Sequence, residues 1–126
     1  SCTAYAHSDN HMQVITASHL TKDDVAIGIS HSGSSKDIVE ALKIARKNGA
    51  TTISITNKGK SPIVKESNIT LFTASDETSY SILGLNSRIA QLAIINSIYY
   101  YIVYHQTGHD SEARSITEKA LQSKKF

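Results

Sequence analysis

Three stretches in close succession, VAIGI (25–29), IVEALKIARKN (38–48) and TTISIT (51–56), leave little freedom in how this chain folds. The first is a continuous apolar run, as expected of a strand covered on both faces in a parallel sheet. Ile38, Ala41, Leu42 and Ala45 then recur at helical spacing, with Lys36, Glu40, Lys43 and Lys47 on other faces. Gly49 supplies the helix stop, and the β-branched TTISIT follows at once. Connections this short predict a β-α-β unit with parallel strands and a right-handed crossover.

Outside that unit, NITLFT (68–73) reads as the next strand, and Pro62, after the loop NKGKSP, is placed to begin a short helical turn. Residues 81–105 read as one long helix. Its stripe of Ile82, Leu85, Ile89, Leu92, Ile95 (or Asn96), Tyr99 and Ile102 is widened by apolar neighbours, which predicts burial on more than one side. Gly108 ends it, and Asp110 can cap a last helix with Ala113, Ile116, Ala120 and Leu121 inside. At the other end SCTAYA is a thin strand signal, and Asp9 is placed to cap a helix over residues 10–19. A sheet opening on so weak a strand predicts that an upstream portion of the domain precedes this chain.

With 126 residues, 40% hydrophobic and 19% charged, the expectation is one soluble domain with a core of its own. The single Cys2 and the lack of a signal-like start make a reducing cytoplasm the expected location. The stretch 89–104 is interrupted by Gln91, Asn96 and Ser97 and is shorter than the roughly 18 apolar residues a membrane span needs. A net charge of +2 with the signs mixed gives no basic stripe for a nucleic-acid backbone, so no contact with DNA is expected from this chain itself.

The chemistry concentrates in SHSGSSKD (30–37), four serines and a glycine between the first strand and its helix. In an open parallel α/β sheet, ligands sit at the carboxyl ends of strands. The helix that follows offers unpartnered N–H groups and a positive dipole end, which suit an anion. Serine hydroxyls add neutral donors, and Gly33 lets the backbone come close. The residues leave two readings open: a phosphate cradle, and an ordinary turn in which Ser34 and Asp37 form a capping box. A P-loop and a GxGxxG fingerprint are both absent.

AIGISHSGSSKDIVEALKIARKNGATTISITNKGKSPIVKESNITLFTA (26–74) resembles the sugar isomerase (SIS) domain: strand, S-x-S-G-x-[ST]-x-[DE], helix, G-A, a strand ending in I-T, S-P-[IL], strand. More narrowly it is similar to the C-terminal sugar-phosphate-sensing domain of RpiR-type transcriptional regulators. DNHMQ (9–13) matches that group's D-x-H-x-Q, and SRIAQLAIINSIYYYI (87–102) resembles its S-R-I-A-Q-L helix. The resemblance implies an α/β three-layer sandwich of SIS type, flavodoxin-like, with a parallel sheet flanked by helices and a first strand and helix missing here. It makes residues 1–126 a single, N-terminally incomplete SIS domain.

It further implies that Ser30, His31, Ser32 and Ser35 bind the phosphate of a phosphorylated sugar or amino sugar, with Gly33 shaping the turn and Ser34 beside it. Asp9, His11 and Glu77 are the matching candidates for the sugar itself. No catalytic residue, metal or cofactor is implied. The family's G-x-G-x-S loop is absent, and Asn96 stands where such regulators carry aspartate.

Other residues have plainer readings. His7, Asp9 and His11 have a metal-like spacing, but Asp9 would not share the helical face of the two histidines. Glu77 could be a proton-transferring base, as in SIS enzymes, or a helix-start acid favoured by the dipole, or a partner for a sugar hydroxyl. Ser87 and Arg88 could face ligand, partner or solvent, and the tyrosines at 99–101 and 104 read as core and oligomer contact. Three functions are therefore weighed: a sensor working as a homodimer and reaching DNA through a separate helix-turn-helix domain, a sugar-phosphate isomerase or lyase, and a dimerisation module. About 80 residues of helix-turn-helix upstream would identify the first.

Overall fold

The computed structural model describes residues 3–74 and 85–106, together with Ser115, Lys119 and Gln122. The chain divides into two compact units, Ser1–Gln91 and Leu92–Phe126. The first holds α1 (Asn10–His19), β1 (Val25–Ile29), α2 (Lys36–Lys47), β2 (Thr51–Thr56), α3 (Pro62–Lys65) and β3 (Ile69–Phe72). The three strands are parallel in the order β1-β2-β3, with Gly28 opposite Ser54 and Ser54 opposite Thr70. This is the α/β fold expected from the β-α-β signature, parallel strands flanked by helices.

Local chemistry accounts for the boundaries. Asp9 caps α1, its carboxylate accepting from Met12 N at 3.0 Å. Gly49, at φ 91°, terminates α2 in a conformation that side chains disfavour. Before β1, the Asp24 carboxylate accepts from Thr21 N (2.8 Å) and Thr21 Oγ1 (2.9 Å), bonds that hold its pKa below the usual carboxylate value. Ser61 precedes Pro62 at the start of α3, where proline's missing N–H is no loss.

α1 packs on α2 through small residues: Ala17, Ala45 and Ala50 form a buried cluster with Leu20, Ala26, Ala41 and Ile44 against it. Asn48 Nδ2 ties the two helix ends by donating to Ser18 O (3.0 Å) and Ala17 O (3.3 Å). β2 is the central strand and is buried along Thr52, Ser54, Ile55 and Thr56. Its hydroxyls have partners: Thr52 Oγ1 donates to Glu66 O (2.8 Å), and Ser54 Oγ to Thr70 Oγ1 (3.2 Å). α1 and α2 pack on the face bearing Ala26 and Gly28. A Cβ on Gly28 would meet Leu42 and Ile38 of α2.

Three expectations are corrected. SCTAYA is not a strand over its described part: residues 3–8 are irregular and Tyr5 is exposed. A short apolar segment becomes a strand only with a neighbour to pair with. β1 is not covered on both faces, since Val25 and Ile27 are 56% and 49% exposed on the side away from α2. α4 (Leu85–Gln106) is a helix, but its apolar residues are not buried on several sides. Leu85 and Ile89 in the first unit are exposed, as are Leu92, Tyr99, Tyr100, Tyr101 and Tyr104 in the second. Periodicity reveals an apolar helix but not what covers it. The last helix expected from Asp110 onward lies outside the described residues, apart from Ser115, Lys119 and Gln122, which are helical. No helix among the described residues is long and apolar enough to cross a membrane.

Candidate functional site

The serine loop leaves β1 at its carboxyl end and turns into α2, as the strand-loop-helix pattern requires. Ser30 is buried and organises the turn: its Oγ accepts from Gly33 N (3.1 Å) and lies 3.0 Å from Ser35 Oγ. Gly33 is buried at φ 66°, the left-handed region that favours glycine. Ser32, Ser34 and Ser35 are exposed, with Ser32 Oγ accepting from Ser34 N at 3.2 Å. The loop thus carries two exposed serines, Ser32 and Ser34, beside a Ser30–Ser35 hydroxyl pair that fixes its shape.

Of the two readings open for this turn, the capping box is not what forms. The N-cap of α2 is Ser35 rather than Ser34, and its side chain makes no capping bond. Ser34 Oγ donates instead to Ser32 O at 3.4 Å. With Ser35 as N-cap, Asp37 falls one position short of the place from which a capping box reaches back. The hydroxyl pairing of Ser30 with Ser35 competes with capping and wins.

A second loop, between β2 and α3, grips the first. His31 O accepts from Asn57 N (3.1 Å) and Thr56 Oγ1 (3.2 Å), and Gly33 O accepts from Ile63 N (3.0 Å). A Cβ on Gly33 would fall 2.2 Å from Ser61 Oγ and 2.9 Å from Thr56 Oγ1. Thr56, Ser61 and Ile63 are therefore positioning residues that sequence reading passed over. The signals were the threonine ending β2 and the Ser-Pro pair opening α3.

Asp9 and His11 lie at the start of α1, outside this cluster. Asp9 is engaged in capping α1, His11 is exposed on the first turn of that helix, and no hydrogen bond joins either to the serine loop. His7 stacks on Tyr5 at 6.5 Å. Ser87 is buried and Arg88 exposed, while Glu77 lies outside the described residues. Among the described residues no three histidine, cysteine or acidic side chains gather as a metal site would need.

Parallel strands with a hydroxyl-rich loop at their carboxyl edge define a class of α/β domain that keeps its ligand chemistry between strand and helix. Within that class the chain belongs to the SIS domain family, whose model matches residues 2–100. It is 46% identical over 99% of its length to an HTH-type transcriptional regulator of Caldanaerobacter subterraneus subsp. tengcongensis, and 34% identical over 92% to one of Haemophilus influenzae. It spans 44% and 39% of those relatives' own lengths. Its fold is similar to that of the Vibrio vulnificus NanR protein, solved in complex with ManNAc-6P, with a TM-score of 0.82 at 21% identity over 98% of this chain and 47% of that one. The sugar isomerase domain of an RpiR transcription factor from Sphaerobacter thermophilus superposes with a TM-score of 0.67 at 21% identity, over 95% of this chain and 62% of that one.

Proposed function

We propose that this chain is the phosphosugar-sensing domain of an RpiR-type transcriptional regulator, acting in the cytoplasm. The observation that carries this reading is the serine loop: exposed serines stand beside a helix start that its own N-cap side chain leaves uncapped. A phosphate monoester has the oxygens to accept from both. The naming of its relatives as HTH-type regulators supports a sensor over an enzyme, and the domain reaches DNA through the portion of the protein outside this chain. No catalytic residue and no cofactor enter the reading.

Thermal-shift titration of the whole protein with a panel of hexose and amino-sugar 6-phosphates tests it, and at least one is expected to stabilise the protein. Ser32→Ala removes one hydrogen bond to a charged group, worth about 1.5–3 kcal/mol, so affinity falls roughly ten- to hundredfold while the fold survives. Wild-type protein is expected to interconvert no aldose and ketose phosphates. Measured turnover would replace the sensor with an isomerase.

The same protein is expected to self-associate as a two-fold dimer. The second unit leaves Leu92, Tyr99, Tyr100 and Tyr104 exposed along α4, apolar surface of the kind that marks an interface. Analytical ultracentrifugation at micromolar concentration checks this, and a monomer would refute it.

A further inference from the structure

A phosphate carries about −1.5 to −2 charges at neutral pH, and the serine loop meets it with neutral hydroxyls. The charged residues in the first turn of α2, Lys36 and Asp37, oppose one another. A source of positive charge stands next door, in the β2–α3 loop that grips the serine loop.

Between the contacts at Thr56 and Ile63 that loop carries Lys58, Gly59 and Lys60, all exposed. Its backbone is held in place. Lys58 N donates to Thr56 Oγ1 (3.4 Å), the same hydroxyl that donates to His31 O, and Ser61 Oγ donates to Lys58 O (2.7 Å). Ser61 is itself buried against Gly33. Lys58 and Lys60, with Gly59 between them, thus lie on a loop of the carboxyl edge whose backbone is held beside the serine loop.

We infer that Lys58 and Lys60 form a cationic wall to the anion site, supplying the charge that the hydroxyls lack and selecting doubly charged phosphate esters over neutral or singly charged ligands. This rests on the serine loop being the anion site. Serines fix where the phosphate sits by short-range bonds, whereas the lysines act through water at longer range. Salt separates the two contributions, because screening weakens exposed charges and leaves a direct hydrogen bond nearly untouched.

The test is titration of inorganic phosphate into the whole protein at about 20 mM and about 0.5 M sodium chloride, followed by amide chemical shifts. Lys58→Gln/Lys60→Gln is expected to weaken binding about five- to twentyfold at low salt and less than about twofold at high salt, where the screening length is roughly 3–5 Å. Lys58→Arg/Lys60→Arg keeps wild-type affinity. Lys65→Gln, at the far end of α3, removes the same kind of charge with a smaller loss than the double variant. An unchanged Gln double variant, a loss equal at both salts, or an equal loss with Lys65→Gln each overturns the inference and leaves the serine loop's role intact. If wild-type protein binds phosphate no better than Ser32→Ala does, the anion site itself is wrong and this inference falls with it.

Discussion

Gly33→Ala is expected to destabilise the domain by about 2–5 kcal/mol and to abolish detectable binding of phosphate esters. Two independent terms add. Gly33 sits at φ 66°, and an L-residue held in that region costs about 1–2 kcal/mol. The new methyl would also lie 2.2 Å from Ser61 Oγ and 2.5 Å from Ser61 Cβ. Ser61 is only 6% exposed, and its hydroxyl is committed to Lys58 O, so it has little room to retreat. Overpacking of this kind typically costs about 1–3 kcal/mol.

Relief of that contact would push the serine loop off the β2–α3 loop and break the Ile63 N to Gly33 O bond, so binding is lost along with stability. Urea unfolding and phosphate-ester titration of the variant measure both. Gly33→Ala/Ser61→Gly should recover part of the packing term, since the contact with Thr56 Oγ1 at 2.9 Å remains, and none of the backbone term. A Gly33→Ala protein within about 0.5 kcal/mol of wild type, and still binding, would mean that the two loops are not packed as described.

The same residues show how much of the molecule its sequence discloses. β1, β2, α1 and the glycine stop of α2 fall where apolar runs, an aspartate cap and Gly49 put them, because each depends on neighbours a few positions away. The location of the serine loop was legible for the same reason: a strand that ends in a serine-rich turn before a helix can put that turn only at the sheet's carboxyl edge. The grip of the second loop was not legible, since Thr56 and Ser61 meet His31 and Gly33 only after β2 has paired with β1. The choice of Ser35 over Ser34 as N-cap turns on a hydroxyl contact with Ser30, a competition that residue spacing does not express. Exposure along α4 and β1 failed for a different reason, because an apolar pattern specifies a surface to be covered and says nothing of the cover.

Gly28→Val sets intrinsic preference against packing, and packing is expected to prevail by about 2–3 kcal/mol. By propensity alone the substitution should help. Glycine weakens a strand interior, valine is a favoured strand residue, and the whole propensity scale spans about 1 kcal/mol. Nothing in the backbone demands glycine here, since Gly28 is not among the positive-φ positions. Its reason is α2. A Cβ would fall 2.6 Å from Leu42 Cδ1 and 3.0 Å from Ile38 Cγ2, and valine adds two methyl groups beyond that atom. Leu42 is 3% exposed, so its tip moves only by displacing other core atoms. The helix would therefore lift from β1, and with it the N-terminus on which the serine loop rests. Gly28→Val should then lose ligand affinity as well as stability, although residue 28 touches no ligand. Gly28→Val/Leu42→Ala, which empties the space the valine needs, should restore part of both. Denaturant unfolding and phosphate-ester titration of the three proteins decide the matter: if Gly28→Val is neutral or stabilising, α2 does not lie as close to β1 as the glycine implies, and the rigid link from sheet to serine loop is lost from the account.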